Sequence, residues 1–296
     1  MSPSTSTYKL ALALPSSIPT LAQISDLAFK TDTHTQLKEL CKRQPKSNCQ
    51  NQSSAPTSNH ASSMASALTS WMSPPKGKLV VLQVVEEESG KIVGWAAWAG
   101  KGVGLVWDGE GMNETQEEAD ERLAKDDEKK EEDEAGNEGE QNVEDEEPTP
   151  SPQILALETL TNNTMTFWSS HFSTPSSFPS PTSSSSSPTT SQPHLILIAL
   201  TIHPLHQSHG IGTSLINWGT RIADAHGVFC WVSSSDGGYP VFEKAGFREV
   251  GRLAVELDEF AVGIDGERIR NPDAEGGDGR WGMYTWRWMK RDAVVR

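Results

Sequence analysis

From His194 to Ile202 the chain reads HLILIALTI, and from His203 to Thr213 it continues HPLHQSHGIGT. The first run is almost wholly apolar, the pattern of a strand buried on both faces. Pro204 ends it. Beyond the loop, Ile211, Leu215, Trp218 and Ile222 recur on one face, so a helix is predicted from Gly210 to His226 with Gly227 placed as its C-cap. Strand, glycine loop and helix in this order make an anion site. The first N–H groups of a helix have no intrahelical partner, and its dipole favours negative charge there. Glycine at 210 and 212 removes the Cβ atoms that would hold a phosphate away from the backbone. The stretch therefore predicts a pyrophosphate cradle.

Other phosphate loops can be set aside. A nucleotide-triphosphate loop ends in Gly-Lys-Ser/Thr, and no lysine occurs here. A dinucleotide fingerprint needs a third glycine where this chain has Leu215.

Outward from this centre, Tyr8–Leu14 reads as a strand and Ile18–Phe29 and Thr33–Lys42 as helices. Lys78–Val85 and Lys91–Ala99 read as a hairpin turning at Glu86–Gly90. A helix is expected over Ile154–Phe172, a strand over Val228–Val232 and a short helix over Tyr239–Ala245. Two last strands are expected over Phe247–Glu256 and Met283–Met289. This is the order of a mixed α/β domain.

Three segments have another character. Residues 44–73 are rich in Ser, Asn, Gln and Pro and are read as partly disordered, with a short helix around Met64–Met72. Residues 108–152 are acidic, and 173–192 are Ser/Pro/Thr-rich. All are expected to be insertions in a single domain spanning 1–296. From Asp108 to Glu147 there are 20 acidic and 4 basic residues, a net of −16 against the chain's −15, so everything else sums to +1. A near-neutral folded part offers no field for nucleic acid or an anionic membrane. No run approaches the roughly 20 apolar residues of a membrane helix, and the first residues lack the pattern of a secretory signal. The three cysteines, Cys41, Cys49 and Cys230, form no framework spacing. They are read as reduced thiols of a cytoplasmic or nuclear protein.

Gln207-Ser208-His209-Gly210-Ile211-Gly212 resembles the cofactor motif of the GNAT superfamily of N-acetyltransferases, (Gln/Arg)-x-x-Gly-x-(Gly/Ala). Its flanks extend the likeness. Leu200-Thr201-Ile202-His203-Pro204 resembles the strand end that precedes the motif. Tyr239-Pro240-Val241-Phe242-Glu243-Lys244-Ala245-Gly246-Phe247 is similar to the family's Pro-Leu-Tyr-Glu-Lys-x-Gly-Phe. Ile92-Val93-Gly94-Trp95-Ala96-x-Trp98 resembles the family's ligand-side hairpin, and Glu110-Gly111-Met112-Asn113 a loop of fungal-type members. The likeness is strong over about 194–250 and absent in the insertions.

The resemblance implies a mostly antiparallel central sheet with a splayed parallel pair, flanked by helices, and an acetyl-CoA site. Backbone groups of Leu200, Thr201 and Ile202 would hold the pantetheine, and those of Gln207, Ser208, His209, Gly210, Ile211, Gly212 and Thr213 the pyrophosphate. It also implies direct attack on the thioester by an amine, carried by a small molecule or a peptide. One residue departs from the pattern: Phe242 stands where the family often has a tyrosine that protonates the leaving thiolate. Tyr239, three residues earlier, is the substitute candidate, and Phe242 motivates an alternative in which acyl-CoA is bound but not turned over. Glu86, Asp236 and His203 are candidate bases. His203, His206 and His209 share a spacing of three, but Pro204 lies among them, and no metal site is assigned. Trp281, Trp286 and Trp288 are expected to be core and edge packing.

Overall fold

The computed structural model describes residues 7–42, 59–73, 78–105, 150–174, 191–274 and 278–294. The expected acidic and Ser/Pro insertions lie almost entirely outside these, as do residues 44–58 and Cys49. The elements are β1 (Tyr8–Leu12), α1 (Ile18–Phe29), α2 (Thr33–Lys42), α3 (Asn59–Met72), β2 (Leu79–Glu86), β3 (Ile92–Lys101) and α4 (Pro152–Ser173). After them come β4 (His194–Ile202), α5 (Ile211–Ala225), β5 (Phe229–Ser234), α6 (Tyr239–Lys244), β6 (Arg248–Glu256) and β7 (Met283–Arg291).

One seven-stranded sheet has the order β1-β2-β3-β4-β5-β7-β6. β4 and β5 are its parallel pair, and every other neighbour is antiparallel. That pair is joined only from His194↔Phe229 to Leu197↔Val232. Beyond Leu197, β4 stays paired with β3 while β5 leaves it. The splay has a local cause. On β3, Ala97 faces Ala199 and Trp98 faces Leu197, so Ile198 is an extra residue on β4. A bulge of this kind bends its strand and raises its twist. This is the GNAT arrangement that the resemblance implied.

Two tryptophans on β3, an odd number of residues apart and so on opposite faces, fix the layers. Trp95 is fully buried and its Nε1–H donates to Leu21 O at 2.9 Å, seating α1. Trp98, also fully buried, donates to Leu215 O at 3.2 Å, seating α5 on the other face. Gly219 of α5 makes room for that indole, because a Cβ there would lie 2.3 Å from the Trp98 ring.

α4 covers the β5-β7-β6 half on the α1 face. Ile154 and Leu157 pack with Leu37, Val255 and Trp281, while Phe172 packs with Trp231 and Trp288. Trp168 stacks on Trp288 at 5.7 Å and fills the space that a side chain at Gly251 would occupy. Ser151 caps the helix by accepting the N–H of Ile154 at 3.3 Å.

Several boundaries differ from expectation. The helix expected around Met64–Met72 is present but starts earlier, at Asn59, and α3 buries Leu68 against α1 and the sheet. The Ala- and Ser-rich residues before Met64 carry little apolar periodicity, so the start of the helix was not legible. α4 starts at Pro152, inside the expected insertion, and β1 stops at Leu12. Cys41 and Cys230 are buried free thiols, pushed by burial up to about 11 and about 12.

Candidate active site

The loop from β4 to α5 has two left-handed residues, Ser208 at φ 64° and Gly210 at φ 79°. A non-glycine residue held there is uncommon. The N–H groups of Ser208, His209, Gly210, Ile211, Gly212 and Thr213 have no partner among the described residues. The first satisfied one is that of Ser214, on Gly210 O at 3.0 Å. A Cβ built at Gly212 would meet nothing closer than 4.0 Å, so nothing in the described protein requires glycine at that position. An unpaired row of donors at a helix start, with a glycine facing open space, fits a pyrophosphate.

The cradle leads into the splay. His203 N–H donates to Val93 O on β3 at 2.8 Å. Backbone groups alternate sides along a strand, so Thr201 also turns its backbone to β3, and Leu200 and Ile202 turn theirs to the open edge. Ile202 O accepts from Gln207 Nε2 at 3.3 Å, which ties the loop back to that edge.

Between β4 and β5 lies a cavity of about 660 Å³. Its floor is β4 from Ile196 to Thr201 and β5 from Trp231 to Ser235. Phe29, Asp32 and His34 of the α1–α2 junction line it, with His60, Met64 and Trp71 of α3. Thr161 and Met165 of α4 and Tyr284 and Trp286 of β7 close it. Asp32 is fixed twice: Oδ1 accepts the Thr35 N–H at 2.8 Å, and Oδ2 accepts the Tyr284 hydroxyl at 2.8 Å. Burial, with help from Lys38, pushes His34 down to about 4, and burial also lowers His60, whose Nε2 is 2.9 Å from Ser25 Oγ.

The catalytic candidates from the sequence are not among the residues that line this cavity. Asp236 is bound by Arg287 at 2.6 Å, and the same guanidinium holds Glu249 at 2.9 Å. Glu86 ends β2, where it meets Ser89 at 2.6 Å and His206 at 3.8 Å. His203 Nδ1 accepts the Leu205 N–H at 3.3 Å as a turn cap, and burial lowers its pKa. The ring centres of His203 and His206 are 5.6 Å apart, and those of His206 and His209 are 6.5 Å apart. Tyr239 donates its hydroxyl to Glu243 at 2.8 Å, which raises its pKa, and Arg287 lies 5.0 Å from its ring centre. Phe242 is buried, and it does line the cavity. So do Trp286 and Trp288, which are thus wall as well as packing, whereas Trp281 is buried elsewhere and donates to Ile269 O at 2.9 Å.

Asp32, His34, His60 and Tyr284 were not singled out from the sequence. Asp32 before the α2 run carries an N-cap signal, but no local pattern says that Tyr284 will meet it.

Solved structures with a similar arrangement include arylalkylamine N-acetyltransferase 2 from Aedes aegypti, 11% identical with a TM-score of 0.49, over 97% of this chain and 100% of that one. Another is a polyamine N-acetyltransferase from Drosophila melanogaster, 13% identical with a TM-score of 0.47, over 97% and 100%. At such values the likeness says nothing about what this chain acts on. No protein-family model matches the sequence, and no curated protein matches it. Among the described residues no helix is long and apolar enough to cross a membrane.

Proposed function

We propose that this chain is an N-acetyltransferase that transfers the acetyl group of acetyl-CoA to an amine. The observation that carries the reading is a continuous backbone track: the open edge of β4 runs directly into a loop of unpartnered N–H groups at the start of α5. Bound acetyl-CoA supplies a thioester carbonyl carbon open to attack by an amine, with the thiolate as leaving group. The residues of this chain bind and orient. Backbone groups of Leu200 and Ile202 are assigned to the pantetheine arm as an added strand would pair. Those of Ser208 to Thr213 are assigned to the pyrophosphate, with Gln207 bracing the loop against Ile202. Thr201 turns its backbone to β3 and is assigned only to the cavity wall. A fixed donor set holds the reacting carbonyl without reorganisation, and positioning supplies much of the rate. Tyr239 is already bonded to Glu243, so no proton transfer is assigned to it.

Calorimetry with acetyl-CoA, followed by CoA release across a panel of amines, tests the proposal. Absence of binding sinks it. Binding without CoA release for any amine favours the alternative that Phe242 suggested, a domain that holds acyl-CoA without turnover.

A further inference from the structure

Resting on the acetyl-transfer reading, we infer that the acceptor is a primary amine with one positive charge on an aromatic body, its ammonium held by Asp32 until it gives one proton to solvent water. The neutral amine then attacks the thioester carbonyl carbon. The C–S bond breaks, the nitrogen gives up its second proton to solvent as the amide forms, and the thiolate leaves as CoA. The first argument is charge. Among the described residues lining the cavity, Asp32 is the only acid, and no lysine or arginine joins it. His34 and His60 are kept neutral at pH 7 by burial. The described part of the wall therefore carries one acidic side chain and no basic one besides the two histidines.

Asp32 has spare capacity to use that charge. Each of its oxygens accepts one hydrogen bond, from Thr35 or from Tyr284, and a carboxylate oxygen has about two acceptor sites. The two bonds aim the carboxylate, and each oxygen keeps a site for an ammonium hydrogen. A charge-assisted bond of this kind is about twice as strong as a neutral one.

The second argument is the remainder of the wall. Tyr284 and Trp286 have ring centres 4.5 Å apart, and His34 lies 4.9 Å from Trp286. Phe29 and Trp71 come from α1 and α3. The rings of His34, Tyr284 and Trp286 pack against one another as one aromatic wall. It takes a ring laid against it by apolar burial and adds cation–π attraction for the ammonium. It also rejects. A carboxylate on the acceptor would be desolvated with no cation to meet it among the described residues lining the cavity, and a second ammonium would find no second acid among them.

Three amines separate the cases: 2-phenylethylamine, phenylalanine (the same body plus a carboxylate) and spermidine, measured by CoA release. A kcat/KM for 2-phenylethylamine at least about 100-fold above the other two is expected, the scale set by leaving a buried charge unpaired. Binding of 2-phenylethylamine to the CoA-loaded protein, followed by calorimetry, should weaken about tenfold or more in Asp32→Asn while the acetyl-CoA Kd stays unchanged. Phenylalanine or spermidine within threefold of 2-phenylethylamine overturns the inference, as does unchanged amine affinity in a folded Asp32→Asn protein. The wild-type panel decides the matter even if that variant fails to fold. A protein that binds no acetyl-CoA fails at the acetyl-transfer reading. One that binds it and prefers spermidine fails only here.

Discussion

The two sides of the cleft are built from different materials. The β4-loop-α5 side presents main chain from one uninterrupted stretch, and its side chains matter chiefly by staying out of the way. The opposite side presents side chains from α1, α2, α3, α4 and β7, gathered from positions as far apart as Asp32 and Tyr284. A backbone site tolerates sequence change and suits a part of the ligand that never varies. A side-chain site changes with each substitution and sets specificity.

The comparison breaks most readily at Gly212. Gly212→Val puts a side chain where the described protein has no atom closer than 4.0 Å, so the fold should survive. The acetyl-CoA Kd should rise about 100-fold or more, roughly 2.7 kcal/mol. Unchanged affinity by calorimetry would remove the cradle assignment.

A second glycine of the same helix should give the opposite result. Gly219→Ala places a methyl group 2.3 Å from the Trp98 ring. It should cost about 1–3 kcal/mol of stability by overpacking, read as a lower denaturant midpoint. The acetyl-CoA Kd of the folded protein should stay near wild type.

Acid should weaken the side-chain wall through His34. Burial holds the folded pKa near 4, below the model-peptide value of 6.5. The unfolded chain therefore takes up a proton near pH 6.5 that the folded chain refuses until about pH 4. The contribution of the neutral ring is intact above pH 6.5 and is lost as the pH falls to 4. His34→Phe removes this linkage, so its melting temperature should fall less steeply over that window. Equal slopes for the two proteins would show that His34 is not the titrating group.

The smallest effect is expected at Tyr239, whose hydroxyl is engaged by Glu243. Tyr239→Phe should alter kcat by less than about threefold, whereas a positioned general acid contributes about 10²–10⁴-fold. A hundredfold drop with unchanged acetyl-CoA affinity would restore Tyr239 as the acid.

The cavity wall was hidden for reasons that individual residues make plain. The bulge at Ile198 sits inside an unbroken apolar run with no glycine or proline to mark it, since it arises from register against β3. α3 carries few large apolar residues, and its one fully buried leucine, Leu68, matters only because α1 lies above it. Trp286 and Trp288 alternate as strand residues should. That they also face a cavity follows from where α4 crosses β7.

The sequence alone determined most of the order of elements and the position of the glycine loop. A buried strand, two glycines and an amphipathic helix are neighbours in the chain, and their physics is local. Only the tertiary structure decided where β4 parts from β5, that Tyr239 faces Glu243 and not the cavity, and that Asp32 meets Tyr284. The first and last depend on packing between elements distant in sequence. The Tyr239–Glu243 pair is four residues apart on one helix, and only the docking of that helix turns it from the cavity. The close-packed interior admits one such arrangement, and no single segment encodes it.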